Sequence, residues 1–153
     1  VGVDCDTFDR KITRDAAVGD VGRCIKPRIV HGQTHGGIAQ GVGQAILEDC
    51  AIDINSGQPI AGSFMDYGIP RATTLPFINA EIAEIHSPTN PLGIKAGGEG
   101  GTTPALATVV LAVLDALKKY DVKDISMPIT PQRIWSAVKI ATKENCSGRI
   151  LGN

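Results

Sequence analysis

Several stretches of the chain alternate apolar and polar residues with a period of two, the pattern of a half-buried β-strand. Val1, Val3 and Cys5 show it at the start of the chain. Asn55-Ser56-Gly57 predicts a hairpin turn between two further strands. The predicted extended stretches cover residues 1–5, 11–21, 50–54, 60–64 and 78–85.

A period near 3.6 residues predicts three helices, over residues 30–49, over residues 104–119 and from Pro131 onward. Thr103 as N-cap, followed by Pro104 at the first helical position, marks the start of the second helix. A threonine precedes Pro131 in the same way. The second helix has the widest apolar face, formed by Leu106, Val109, Val110, Val113 and Leu117.

Because strands and helices intermix along the chain, the expected fold is α+β, with a mixed β-sheet covered by helices in two layers. The length suits a single domain over residues 1–153. Five glycines lie between residues 32 and 43 of the first predicted helix. Each costs up to ~1 kcal/mol relative to alanine, so we expect another group to approach this helix closely.

The composition argues against several classes of function. The formal net charge is −1, so the chain lacks the excess of positive charge that is typical of nucleic-acid-binding proteins. Aromatic residues make up 4% of the chain, which argues against a surface on which bases stack. No apolar run approaches the roughly 20 residues of a membrane span. The cysteines are widely spaced and form no C-x-x-C pair, which favours core thiols in a reducing, cytoplasmic compartment. They are Cys5, Cys24, Cys50 and Cys146.

Glu99 stands alone among glycines in the stretch Gly97-Gly98-Glu99-Gly100-Gly101, directly before the second predicted helix. Glycine leaves the carboxylate unobstructed and lets backbone N–H groups approach a ligand, at a cost in conformational entropy. An exposed acid that only complements the helix dipole is the alternative, but it does not explain the glycines. The sequence therefore predicts a functional acid, presented as a general base is.

Three glutamines fall on one side of the first predicted helix, because spacings of seven and four residues return to nearly the same azimuth. Their amides donate and accept hydrogen bonds at once, which suits the edge of a pterin or purine. A solvated polar face is the alternative interpretation. The three are Gln33, Gln40 and Gln44.

His31 and His35 have the spacing of a helical metal pair but lack the glutamate of H-E-x-x-H. Helix capping or hydrogen bonding around a site is the favoured interpretation, so no metal ligand is predicted. Asp66 follows apolar residues and is a candidate orienting group, with an ion pair or a backbone cap as the preferred interpretation. Lys95 shares the glycine loop with Glu99 and is a candidate orienting group. No complete G-x-G-x-x-G or P-loop motif occurs.

Three segments together resemble the molybdenum hydroxylases, the family of xanthine dehydrogenase, aldehyde oxidase and the large subunit of aerobic carbon monoxide dehydrogenase. They run from Gly32 to Ala45, from Gly62 to Tyr67, and from Asn90 through Lys95 to Glu99. The closing Met127-Pro128-Ile129-Thr130-Pro131-Gln132-Arg133-Ile134-Trp135 fits as well. The resemblance covers nearly the whole chain, but only the C-terminal part of the large molybdenum-binding subunit.

The resemblance implies a molybdopterin-type molybdenum cofactor, with the cytosine dinucleotide as one form. It implies an oxidoreductase that hydroxylates an electrophilic carbon with water as the oxygen source. Glu99 matches the active-site glutamate, the general base on the molybdenum-bound hydroxide. Gln40 matches a glutamine that hydrogen-bonds the pterin, and Gly37 in the same segment is a further implied cofactor-binding residue. Gly97 and Gly98 would lie beside the molybdenum.

The implied substrates are aldehydes, N-heteroaromatics, purines or carbon monoxide. The implied partners are the rest of the large subunit and subunits or domains that carry iron–sulfur clusters and FAD. The chain starts without methionine, and we expect it to be a fragment that is inactive and free of cofactor when isolated. Gly97-Gly98 and Gly100-Gly101 are richer in glycine than the usual pattern, so a non-catalytic binding or structural module is the alternative.

Overall fold

The computed structural model describes the backbone of residues 1–150 and the side chains of residues 1–143. Its helices are α1 (Pro27–Ile46), α2 (Thr102–Ala116) and α3 (Pro131–Ile150), and a short 3₁₀ turn at Lys118–Tyr120 follows α2. The strands are β1 (Gly2–Val3), β2 (Arg10–Lys11), β3 (Asp15–Asp20) and β4 (Ile78–Ala83). Among the described residues, no helix combines the length and the apolarity needed to cross a membrane.

The α+β class is confirmed, and both directions of strand pairing occur. β1 and β2 pair antiparallel, whereas β3 and β4 pair parallel in a register that runs from Asp15 opposite Ile78 to Asp20 opposite Ala83. Parallel strands need a long crossover, and the connection between β3 and β4 contains α1. In the described part of the chain the two pairings form separate two-stranded sheets.

The predicted strands at residues 50–54 and 60–64 are wrong beyond a single bridge between Ile52 and Pro59. The turn between them is confirmed, since Asp53 accepts the backbone N–H groups of Asn55 and Ser56. Ile54 is 96% exposed and therefore has nothing to pack against. A hairpin without a buried face gains too little to extend its ladder.

Two helix boundaries also differ from the prediction. α1 begins at Pro27 rather than at residue 30, with the proline in its first turn. α2 begins at Thr102 with Gly101 as its N-cap, and no side chain caps it. The predicted cap at Thr103 is therefore wrong, because the backbone carbonyl of Glu99 accepts the N–H groups of Thr102 and Thr103 instead, at 3.1 and 3.3 Å.

The core lies where α1 packs on α2, and glycines set their separation. A Cβ on Gly41 would lie 2.7 Å from the Ala105 Cβ and 2.9 Å from the Thr102 carbonyl oxygen. A Cβ on Gly37 would lie 2.9 Å from the backbone nitrogen of Thr102. The expectation that another group approaches α1 closely is confirmed for these two glycines. Fully buried side chains around the crossing include Val42, Val113, Leu117, Ile129 and Ile134.

The expectation of core thiols is wrong for two of the four cysteines. Cys5 and Cys50 are exposed and Cys24 is partly buried. The side chain of Cys146 lies outside the described residues. The core cluster contains none of Cys5, Cys24 and Cys50, and its buried members are aliphatic side chains instead.

We expect Gly41→Ala to destabilise the chain by about 1–3 kcal/mol, because the added methyl group overpacks the α1–α2 crossing. Gly36→Ala is the matched control, since a Cβ at position 36 meets nothing within 4 Å. It should stabilise α1 by up to ~1 kcal/mol through helix propensity alone. Thermal unfolding of both variants, monitored by circular dichroism, measures the difference. Equal effects would show that the close crossing is absent.

Candidate functional site

Glu99 lies in the bend that immediately precedes α2, and its side chain is exposed. Its carbonyl oxygen starts the first turn of α2, so the backbone of the acid is fixed although its carboxylate is free to meet a ligand. Gly101 is buried, and a Cβ there would clash with the carbonyl oxygen of Thr34 on α1. The helix crossing therefore anchors the loop on the C-terminal side of Glu99.

The loop is also anchored on the N-terminal side of Glu99, against the segment that follows β3. Lys95 donates its backbone N–H to the Val21 carbonyl at 2.9 Å, and Arg23 donates to the Gly93 carbonyl at 3.0 Å. These bonds flank an antiparallel bridge between Gly22 and Ile94. The glycine loop thus adds a short strand-like pairing to the end of β3.

Gly22 makes that pairing possible. Its φ is +63°, a conformation that favours glycine, and a Cβ would clash with the Gly93 carbonyl oxygen. Asp20 accepts the Gly22 N–H at 2.9 Å, which holds the bend. Two independent features therefore require glycine at this position, the backbone angle and the close approach of the loop.

The side chain of Lys95 contacts Asp20, because its ammonium group donates to the Asp20 carboxylate at 2.5 Å. Asp20 also accepts the backbone N–H of Ile85 at 3.2 Å. The bond from Lys95, followed by that from the Gly22 amide, holds the pKa of Asp20 below its usual value. The carboxylate therefore stays ionised and joins three segments of chain.

A cavity of about 340 Å³ opens where the start of α1, the segment after β3 and the glycine loop meet. Among the described residues, its wall contains the cations Arg23, Lys26 and Lys95 and no carboxylate, so it favours an anionic group. Of these three cations, Lys95 alone has an ion-pair partner among the described residues. Gln33 adds a polar amide, and the remaining lining residues are aliphatic or small: Val21, Cys24, Ile25, Ile29, Val30, Ile94, Gly97 and Gly98.

Volume alone does not identify this cavity as the site. Clefts of about 420 and 440 Å³ lie elsewhere, beside α3 and beside the segment from Phe64 to Thr74. Neither contains Glu99, Gln40, Gly37 or a glycine of the loop, whereas the smaller cavity is lined by Gly97 and Gly98. Its position beside the glycine loop makes it the candidate for ligand binding.

The glycines of the loop are not all explained by contacts within the chain. A Cβ on Gly97 would lie 2.8 Å from the Val21 Cγ1, so the chain itself requires glycine there. A Cβ on Gly98 or Gly100 meets nothing within 4 Å, and neither residue has a positive φ. Their bare backbone is open to a group that approaches from outside, as a closely bound cofactor would.

The structure brings some of the predicted residues together and leaves others apart. Gly37 packs under Gly101 and Thr102, so α2 rather than a ligand accounts for its missing side chain. Gln40 is exposed on α1, and its amide makes no hydrogen bond within the described residues. Of the three glutamines, only Gln33 lines the cavity beside the glycine loop.

The remaining candidates have local roles. Asp66 accepts the hydroxyl of Ser63 at 2.8 Å and is exposed, so it closes a turn and forms no ion pair in the described part of the chain. His31 and His35 lie on successive turns of α1 with ring centroids 6.2 Å apart. No group of three or more side chains suited to a metal ion occurs among the described residues.

Sequence reasoning missed the partner of Lys95 and the cations at the start of α1. Asp20 and Gly22 form a D-x-G pattern that is typical of a turn in which the acid caps the glycine N–H. That signal could have identified the bend. It could not have identified Lys95 as the partner, because 75 residues separate the two side chains.

The chain is similar to known proteins over most of its length. Residues 1–76 match the family model described as a molybdopterin cofactor-binding domain. The chain is 36% identical to the 6-hydroxypseudooxynicotine dehydrogenase complex subunit gamma of Paenarthrobacter nicotinovorans, over 89% of this chain and 17% of that protein. It is 32% identical to the carbon monoxide dehydrogenase large chain of Hydrogenophaga pseudoflava, over 91% of this chain and 17% of that protein.

Solved structures agree with these matches. Quinoline 2-oxidoreductase from Pseudomonas putida 86 superposes with a TM-score of 0.84 and 41% identity, covering 90% of this chain and 17% of that chain. Carbon monoxide dehydrogenase from Oligotropha carboxidovorans gives a TM-score of 0.85 at 30% identity, with 93% and 18% covered. The chain therefore spans less than a fifth of the length of these relatives.

We expect Gly22→Ala to release the glycine loop from the end of β3. The substitution adds the strain of a positive φ, on the order of 1–2 kcal/mol, to the clash with the Gly93 carbonyl. Gly57→Ala is the matched control, because Gly57 also has a positive φ of +70° but open space around it. Hydrogen exchange should accelerate at the amides of Arg23 and Lys95 in the first variant only. Unchanged exchange there would contradict the assigned pairing.

Proposed function

This chain belongs to the molybdenum hydroxylase large subunits, and on that premise we propose that it forms the C-terminal part of a molybdopterin-binding catalytic region. The proposed enzyme hydroxylates an electrophilic carbon with water as the oxygen source. The observation that carries the proposal is Glu99, an exposed carboxylate held between two backbone anchors, beside Gly98 and Gly100, which no contact among the described residues requires to be glycine.

When bound, a molybdopterin cofactor supplies the metal that activates the oxygen and accepts the two electrons of the oxidation. The chain supplies position and proton transfer. Glu99 lies in the loop that leads into the N-terminus of α2, three residues before Thr102. An ionised carboxylate is the form that can take a proton, so we assign Glu99 as the general base.

The residues around the cavity fit a cofactor of this kind. Gly97 and Gly98 present backbone without side chains along the cavity wall, so a flat ring system can approach closely. Arg23 and Lys26 place positive charge on the same wall, which favours the phosphate that molybdopterin carries. We propose that Gln40 hydrogen-bonds the pterin and that Gly37 contributes by setting the distance between α1 and α2.

The substrate class and the partners belong to the same proposal. The relatives' names refer to carbon monoxide, quinoline and hydroxypseudooxynicotine, and aldehydes and purines are further candidates. Oxidation of a carbon releases two electrons that must leave the site, which calls for iron–sulfur and FAD centres in neighbouring subunits or domains. Mass spectrometry of the cofactor released from the native complex distinguishes plain molybdopterin from its cytosine dinucleotide form.

A non-catalytic module is the second candidate, and one observation favours it. The Glu99 side chain makes no hydrogen bond within the described residues, and a base that is not held in position is a poor catalyst. Elemental analysis of the natively purified complex separates the two candidates. About one molybdenum atom per large subunit supports the enzyme, and its absence supports the module.

We expect Glu99→Gln in the full-length assembly to retain molybdenum and to lower kcat by at least ~10²-fold, since general base catalysis contributes 10²–10⁴-fold. The amide keeps the shape of the side chain but cannot take the proton. Glu81→Gln is the matched control, because Glu81 is an exposed acid on β4 away from the loop. Near-normal turnover in the Glu99 variant would refute the base assignment.

We expect the 153-residue chain alone to carry no tightly bound molybdopterin and to show no hydroxylase activity. The cavity is bounded here by α1, the segment after β3 and the glycine loop, and a cofactor shared between domains needs a second wall. Molybdenum analysis and pterin fluorescence after oxidative release measure the content. Stoichiometric cofactor in the isolated chain would show that this part of the large subunit suffices to bind molybdopterin, and would contradict the prediction.

A further inference from the structure

The Asp20 carboxylate connects three segments that converge beside the glycine loop. One oxygen accepts the backbone N–H groups of Gly22 and Ile85, at 2.9 and 3.2 Å. The other oxygen accepts the Lys95 ammonium at 2.5 Å. Asp20 therefore ties the end of β3, the residues after β4 and the loop that leads to Glu99 to one point.

Lys95 contacts the end of β3 and the residue after it through both its side chain and its backbone. Its N–H bonds to the Val21 carbonyl at 2.9 Å while its ammonium reaches back to Asp20. The side chains of Lys95 and Asp20 are 34% and 31% exposed, so about two thirds of each is covered in the folded chain. An isolated surface ion pair contributes little to stability, whereas this one adds to a set of backbone bonds that fixes a loop.

Only Ala96, Gly97 and Gly98 separate Lys95 from Glu99. Four residue steps span at most ~14 Å, and a lysine side chain is long and flexible. Lys95 and Glu99 are therefore close enough along the chain for us to expect an ammonium released from Asp20 to pair with the Glu99 carboxylate. The contact with Asp20 holds this charge on a different carboxylate.

We propose that Asp20 and Lys95 are positioning residues for Glu99. Their ion pair anchors the loop ahead of the base and also prevents Lys95 from pairing with it. The inference rests on the proposed function, since it takes Glu99 to be the base. It deepens that function because the Glu99 side chain makes no hydrogen bond within the described residues. The ion pair explains how the loop that carries Glu99 is nevertheless held in position.

The test uses the full-length, cofactor-loaded complex with Asp20→Asn, Lys95→Met and the double variant. Asn keeps an oxygen that can accept the Gly22 N–H, and Met keeps most of the lysine stem. We expect kcat to fall about 10–100-fold in each single variant, because small displacements of a catalytic group have effects of that size. KM should change less than threefold. Molybdenum content should stay at the wild-type level.

The double variant separates a shared role from two independent ones. Residues that act through one contact give non-additive effects, so the double variant should be no worse than either single variant. It should also be more active than Asp20→Asn alone, because the released lysine is absent. Lys95→Arg keeps the ion pair and should retain kcat within threefold, and Lys123→Met is a surface control outside the loop.

Hydrogen exchange of the loaded complex gives a readout that does not depend on turnover. Amides of residues 93–101 should exchange faster in Asp20→Asn and Lys95→Met, and at the wild-type rate in Lys95→Arg and Lys123→Met. If Asp20→Asn fails to assemble, Lys95→Met and Lys95→Arg carry the comparison.

Three outcomes would overturn the inference. They are unchanged kcat and unchanged hydrogen exchange in both single variants, an additive loss of kcat in the double variant, and loss of molybdenum from the single variants. Glu99→Gln measured in parallel keeps this result separate from the proposed function. An inactive Glu99 variant beside fully active Asp20 and Lys95 variants refutes the positioning role only. An active Glu99 variant refutes the base assignment, whatever the other variants do.

Discussion

Backbone contact between α1 and α2 is the constraint on which the rest of the candidate site depends. Gly37 and Gly41 are one helical turn apart on α1, and they face Gly101, Thr102 and Ala105 at the start of α2. A side chain at any of the three glycines would push the helices apart. Since Glu99 lies two residues before Gly101, the separation of the helices sets where the acid is presented.

A second constraint acts from the other end of the same loop. The bend at Gly22 lets the residues after β3 pair with the segment around Ile94, and the Asp20–Lys95 ion pair adds to it. Between this pairing and the helix crossing, a short stretch around Glu99 has few contacts of its own. Because both ends of the glycine loop are fixed, the Glu99 side chain is held in a defined position. Because the residues between those ends make few contacts, the backbone around Glu99 stays accessible, as a site that must admit a ligand requires.

Local signals in the sequence predicted the parts of this arrangement that depend on local physics. The apolar face of α2, the alternation of β4 and the threonine-proline start of α3 each follow from a period or a cap, and all three elements are present. The start of α2 differs because Gly101 is held by α1, a contact that no local rule contains. The hairpin over residues 50–64 differs because alternation predicts a strand only where a face is buried.

Long-range pairings could not be predicted in the same way. The glycine neighbours of Glu99 predict that it is a functional acid, and its predicted position before a helix is confirmed. The ion pair of Lys95 with Asp20 joins residues 75 positions apart. The sequence contains both charges but nothing that couples them, because their proximity follows from the parallel pairing of β3 with β4 and from the bend at Gly22.

The energetics of the loop support a role beyond folding for part of it. Gly93 has a positive φ of +68°, Gly97 packs on Val21, and Gly101 packs on α1, so three glycines are required by the chain itself. Gly98 and Gly100 meet no such requirement. Glycine loses roughly 0.5–1 kcal/mol more than alanine on ordering, so these two residues together cost about 1–2 kcal/mol without a compensating contact in the described structure. A group that must approach the backbone beside Glu99 is a physical reason to accept that cost, and a side chain at either position would obstruct it.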